Sequence, residues 1–325
     1  MVRMSRKKGL KPFIVLIVLF LVGYLVYYNR FSLYDEAILY NYKVPALVNQ
    51  LATEDSMTPI SRQIFYINHP TFLDKIHFSK LCPNYHPSEE IILGCYYPNE
   101  NGIYILSVAD PTLNGIMQVT AAHEMLHGVY SRLSSSQKDY LDGLLLNFYK
   151  HDLTNQRIKD EVAIYMKTEP GSVYDEMNST FPTECATLTP QLESFYTKYF
   201  YNRSKVVAYE QAYQQVFLNK KTQLSSYDST LLSMNATITN QQNQAKALYL
   251  SLNNQLNYIN SNPSDPAIND LINSYNSKVN QYNNLVTNIS AEITNYNQLV
   301  SQRNQISIAL VSLETEISPP TIPTK

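Results

Sequence analysis

The chain has 325 residues, with 25 Lys and Arg against 27 Asp and Glu, a net charge of −2 and a pI near 6.3. It therefore carries no basic field, and nucleic acid is excluded as an expected partner. Glycine totals only 8, and no G-x-S-x-G, P-loop or dinucleotide-binding glycine pattern occurs, so the commonest serine-hydrolase, nucleotide-hydrolysing and dehydrogenase signatures are missing.

Residues 1–11 form a basic segment that includes Arg3, Arg6, Lys7, Lys8 and Lys11. Residues 12–29 follow with no charge until Arg30. An apolar run of about 17 to 20 residues matches the hydrocarbon thickness of a bilayer, and Tyr24, Tyr27 and Tyr28 suit an interfacial aromatic belt. The run passes into Tyr-Tyr-Asn-Arg-Phe without the small-residue cleavage site of a removed signal peptide. We expect an uncleaved transmembrane signal anchor at 12–29. The positive-inside rule then predicts a single-pass cell-membrane protein with its N-terminus cytoplasmic and its later domains extracytoplasmic.

Residues 31–205 have the mixed composition of a globular domain. Short β-like runs occur at 63–67, 91–96 and 102–108, separated by Asn and Pro turns. Cys82 and Cys95 flank one such turn, which can bring them together as a disulfide in an oxidising compartment. Cys185 is left over and reads as a small buried hydrophobe, with a zinc-thiolate role left open beside Glu184. Helical patterns dominate from Leu113 onward: the motif helix below, then 134–149, 155–166 and 190–200.

Residues 120–129 read Thr-Ala-Ala-His-Glu-Met-Leu-His-Gly-Val, an H-E-x-x-H signature with no other charged residue around it. On an α-helix His123 and His127 lie one turn apart on one face, so both imidazoles can reach a single metal ion. Zn2+ is the candidate cofactor, because zinc favours nitrogen ligands in a tetrahedral site with one position open for water. Glu124 is rotated by roughly 100° from His123, which suits a general base rather than a ligand. The apolar flanks fit a helix buried under a cleft, where a charge would be costly.

The segment resembles the zincin metallopeptidases, and the motif helix is similar to that of bacterial membrane-anchored metallopeptidases with an Ala-Ala-His-Glu-Met-Leu-His helix. The resemblance covers roughly residues 30–205. It implies a minimal zincin domain, a small sheet plus helices, whose sheet edge commonly holds the substrate extended. No third histidine follows the motif closely, and His151 is too far along. The gluzincin arrangement remains, with a glutamate from a later helix as third ligand: Glu176 is the first choice and Glu184 the alternative. Pro182, between them, means that the two need not share a helix. Glu161 and Glu193 read as ordinary amphipathic-helix positions. Tyr174 is a candidate oxyanion stabiliser.

After about residue 206 glycine disappears and Asn, Gln, Ser and Tyr fill the polar positions. Heptad spacing runs through Leu224, Leu231, Ile238, Ala245, Leu252 and Ile259, and again through Ile272, Val279, Val286, Ile293 and Val300. The breaker at 260–267 holds two prolines. This predicts an antiparallel coiled-coil hairpin over 206–317, with arms at about 206–259 and 267–317, and a disordered tail at 318–325. The hairpin is also a surface for a partner protein or for self-association.

The expected whole is α+β: a transmembrane helix, a zincin-like domain and a helical hairpin. The expected activity is hydrolysis of extracytoplasmic protein or peptide substrates, with Glu124 as base. The rival reading is a membrane-anchored coiled-coil scaffold or adhesin whose zincin-like domain is inactive or structural.

Overall fold

The computed structural model describes residues 10–82, 93–98 and 102–318. Most of the basic segment 1–11, the turn between the two cysteines with the first residues of the 91–96 run, and the tail from 319 lie outside the described residues. The chain divides into two compact units, Met1–Tyr213 with Glu316–Lys325, and Gln214–Thr315. The fold is mostly helical, with one small sheet and a long C-terminal helical pair.

The first unit opens with α1 (Leu10–Tyr28) and α2 (Arg30–Leu39), followed by α3 (Ala46–Glu54) and α4 (Pro59–Ile67). Among the described residues no single helix is long and apolar enough to cross a membrane. The segments Phe13–Tyr28 and Arg30–Leu39 pass only as a pair, bent by 62°. The run at 63–67, expected as a strand, is helical. Thr58 caps α4 by accepting from the Ser61 amide at 3.4 Å, and Pro59 sits in the first turn, where its missing N–H costs nothing. Ser61, Ile64, Phe65 and Ile67 are its buried residues.

Next come β1 (Thr71–Leu73), α5 (Lys75–Leu81), β2 (Gly94–Tyr97) and β3 (Gly102–Leu106). The sheet order is β1-β3-β2. β1 runs parallel to β3 with Thr71 opposite Tyr104, and β2 runs antiparallel to it with Cys95 opposite Tyr104. β2 is therefore an edge strand. A disulfide joins Cys82, at the end of α5, to Cys95 in β2, with the two Cα atoms 5.9 Å apart.

The motif helix, α6 (Ile116–Ser131), lies at the centre and is buried on most of its sides. It starts at Gly115, whose φ of +112° is a backbone conformation side chains rarely adopt; an added Cβ would also lie 2.7 Å from the Tyr209 carbonyl. The Gly115 amide donates to Gln118 Oε1 at 3.0 Å, closing the first turn.

Helices α7 (Ser135–His151), α8 (Gln156–Thr168), α9 (Val173–Glu184) and α10 (Pro190–Tyr196) follow. Pro182 lies inside α9, so Glu176 and Glu184 do share a helix. Proline cannot donate to the carbonyl four residues back; that carbonyl, of Asn178, instead accepts from the buried Tyr196 hydroxyl at 3.2 Å. Asn178 Nδ2 in turn donates to the Leu126 carbonyl at 3.0 Å, holding α9 against α6.

Two long helices, α11 (Ser204–Ser261) and α12 (Ile268–Ile317), end the chain. Within the second unit they run antiparallel: Arg303 donates to Asp228 at 3.0 Å, the Tyr249 and Tyr282 rings lie 6.1 Å apart, and Lys278 donates to Gln255 at 2.9 Å and Ser251 at 3.1 Å. Ile238, Ala245 and Leu252 of one predicted seam are buried, as is Ile289 of the facing helix.

Candidate metal centre

His123 and His127 stand one turn apart on α6, and α9 packs against that face. His123 Nε2 and His127 Nε2 lie 3.7 and 3.8 Å from the same Glu176 oxygen, Oε2. One ligand atom from each of the three falls within 4.8 Å of the others, so the group can hold a metal ion. The other nitrogen of His127, Nδ1, lies 2.8 Å from Asp175 Oδ1. In the neutral ring that contact makes Nδ1 the donor and turns Nε2 toward Glu176 and His123. The Tyr96 ring is parallel to that of His127 at 6.3 Å, and the Tyr96 hydroxyl meets Ser131 Oγ at 3.0 Å.

Glu124 is 4% exposed, and its Oε2 has no hydrogen-bond partner among the described residues. Burial lifts its carboxyl above the ordinary carboxylate range, with His127 and His123 pulling the other way. The side chain passes against the edge strand so closely that a Cβ at Gly94 would meet Glu124 Oε1 at 2.4 Å and Thr120 Cγ2 at 2.6 Å. Burial would lower the pKa of His127, but Glu176 and Asp175 outweigh it and push it up to about 10. Two carboxylates around one imidazole thus create a demand for positive charge, which a proton or a cation can meet.

These groups open into a cleft of about 640 Å³. One wall is the edge strand from Leu93 to Pro98. Most of the rest comes from α6, from α8 and the turn after it, and from α9, including Glu161, Tyr165, Glu169 and Asp175. Among the sequence-derived candidates, the fold brings together His123, Glu124, His127 and Glu176. Glu184 lines the cleft farther along, two turns of α9 away, and ion-pairs with Arg157. Arg157 also reaches Glu161 at 3.2 Å and Glu210 at 3.4 Å. Tyr174 does not line the cleft, whereas Tyr96, Tyr97, Tyr130, Tyr165 and Tyr213 do. Cys185 is buried beside a separate cavity, and burial together with Glu184 pushes its thiol up to about 12, far from a ready thiolate.

Sequence reasoning did not single out Asp175, Gly94 or Tyr96. Asp175 had one signal, its place beside Glu176; Gly94 and Tyr96 had none before the edge strand was placed beside α6. No family model, curated protein or solved structure matches the chain.

Proposed function

We propose that the chain is a membrane-anchored zinc metallopeptidase that hydrolyses peptide bonds in extracytoplasmic proteins or peptides. One observation carries this reading: two imidazoles of α6 and a carboxylate of α9 converge within 4.8 Å, beside a buried Glu124 oxygen with no hydrogen-bond partner among the described residues. Zinc holds nitrogen and oxygen donors at about 2.0–2.2 Å, which in a tetrahedron sets neighbouring donors about 3.3–3.6 Å apart. The 3.7 and 3.8 Å separations here are within a few tenths of an ångström of that, and all three donor atoms lie within 4.8 Å of one another, so small side-chain movements bring the residues to fit.

Bound zinc would supply a Lewis acid and an acidified water. Glu124, turned away from the ligand direction and raised in pKa by burial, takes a proton from water in the cleft and returns it to the leaving amine. Asp175 holds His127 in the tautomer that presents Nε2. The outer edge of β2 offers backbone groups against which a peptide can lie extended. The anchor reading is supported by the side chains from Phe13 to Tyr28, all of which are exposed; a continuous apolar surface of that size marks a membrane or partner contact. The disulfide suits the oxidising side of that membrane.

The test is metal analysis of the full chain in detergent, together with hydrolysis of unstructured peptides. Wild type should hold about one zinc per chain, as a single set of three protein ligands with one open position requires. His123→Ala should lose the metal and Glu184→Gln should keep it. Glu124→Gln should keep the metal and lose hydrolysis by about 10²–10⁴-fold. A wild-type chain that takes up no zinc after reconstitution sinks the reading and leaves the anchored scaffold.

A further inference from the structure

A short, stiff path joins the metal centre to the apolar helix. Arg132, the C-cap of α6, makes a two-pronged ion pair with Asp35 of α2, at 2.6 and 2.8 Å. Asp35 is 3% exposed, so opening this pair would strand a buried charge. The Phe31 ring lies 5.3 Å from the Arg132 guanidinium and 4.7 Å from that of Arg30. α2 begins one residue after α1 ends and packs on α4. No flexible spacer therefore separates the apolar run from the motif helix.

A second cavity adjoins both the cleft and this junction. Of about 440 Å³ and lined by Arg30, Phe31, Tyr34 and Arg132, it shares Tyr96, Pro98 and Ser131 with the metal cleft. From His127 to Arg132 is about 8 Å along α6, and from Arg30 to Asp35 about 8 Å along α2, at 1.5 Å per residue, with Asn29 linking Arg30 to Tyr28. With the ion pair and the two side chains between them, the histidines lie at most about 25 Å from the last apolar residue. An extended polypeptide covers that distance in about eight residues.

Resting on the peptidase and anchor readings above, we propose that the substrates are polypeptide segments emerging from the same membrane, cut within about ten residues of the bilayer surface, the length set by the ~3.3 Å rise of an extended chain. A catalytic unit on a loose tether would sweep a wide volume and meet soluble chains as readily. This one is held at a fixed height, where neighbours in the same bilayer reach high effective concentration.

The experiment uses the full zinc-loaded chain in vesicles of phosphatidylethanolamine and phosphatidylglycerol. Its substrate is a repeating-sequence polypeptide, offered free in solution or fused to a transmembrane segment, with cut positions mapped by mass spectrometry. Cuts in the fused form should favour the first ten or so residues at least about tenfold over those about 25 residues out. A flexible Gly/Ser insertion of about 20 residues between Asn29 and Arg30 should spread the cuts outward, by the reach of such a linker, and leave hydrolysis of the free polypeptide unchanged. Cuts spread evenly along the fused wild-type substrate, or unmoved by the insertion, overturn the substrate class alone. Cleavage of neither form overturns the peptidase reading with it. An activity-independent measurement uses a fluorophore at Tyr34→Cys, which should be quenched by lipids carrying headgroup spin labels and released from quenching by the insertion; an unquenched label overturns the proposal.

Discussion

Asp175 and Glu176 are neighbours in sequence, yet they address opposite nitrogens of one imidazole: Asp175 meets Nδ1 of His127, and Glu176 faces Nε2. The roughly 100° step of an α-helix lets consecutive residues divide in this way. Asp175→Asn weakens the acceptor for Nδ1–H and should reduce metal affinity about 10–100-fold with the fold intact, read by competition against a chelator. Gly94 sets the other side of the site. A methyl group at that position cannot coexist with Glu124 as placed, 2.4 Å away, so Gly94→Ala must displace the carboxylate or the edge strand. Displacements near 1 Å at a catalytic group cost on the order of a hundredfold in rate; kcat should fall by that order while zinc content stays at the wild-type level. The two histidines and Glu124 were legible because a 3.6-residue period is written in the sequence. Gly94 was not, since its constraint comes from a strand and a helix that meet only in the fold.

Three helices meet where Arg157 of α8 serves Glu161, Glu184 of α9 and Glu210 of α11. Burial and Glu184 push Glu210 up to about 7 against the pull of Arg157. A carboxyl raised in the folded state stabilises fully below its unfolded value of 4.5, and this contribution is lost as pH rises through about 7. Glu210→Gln removes that loss. Thermal unfolding at about pH 5 and about pH 8 should show the variant gaining a few degrees of Tm on wild type at the higher pH; a constant gap would sink the assignment. The same junction explains why Glu184, an eligible ligand by sequence, is elsewhere: eight residues beyond Glu176 on one helix is about 12 Å along the axis, and the guanidinium there claims it. The prediction that Pro182 could separate the two glutamates overlooked Tyr196, whose hydroxyl supplies the hydrogen bond that proline cannot. At α4, the Thr58 cap and Pro59 outweighed the strand-like content of 63–67.

The chain divides into two units, of which the second, Gln214–Thr315, is drawn from the two long helices α11 and α12. The predicted arms, 206–259 and 267–317, correspond to Ser204–Ser261 and Ile268–Ile317. Polar contacts such as Arg303–Asp228 and Lys278–Gln255 accompany the buried apolar seam residues, and several seam residues stay half-exposed, as expected of Tyr and Gln at coiled-coil positions. The double variant Tyr249→Cys with Tyr282→Cys, whose native rings lie 6.1 Å apart, should oxidise to an intrachain cross-link independent of protein concentration; a covalent dimer would show instead that the arms pair between chains. The sequence by itself determined what depends on local period and composition: the motif helix with His123, Glu124 and His127, the two long heptad arms, and the apolar run after the basic segment. Tertiary structure alone decided what depends on contacts distant in sequence. It brought Glu176 rather than Glu184 beside the two histidines, put Asp175 behind His127, laid the edge strand against Glu124, and clamped Arg132 to Asp35. Each of these is a pairing of side chains from separate elements, whose distances no local pattern encodes.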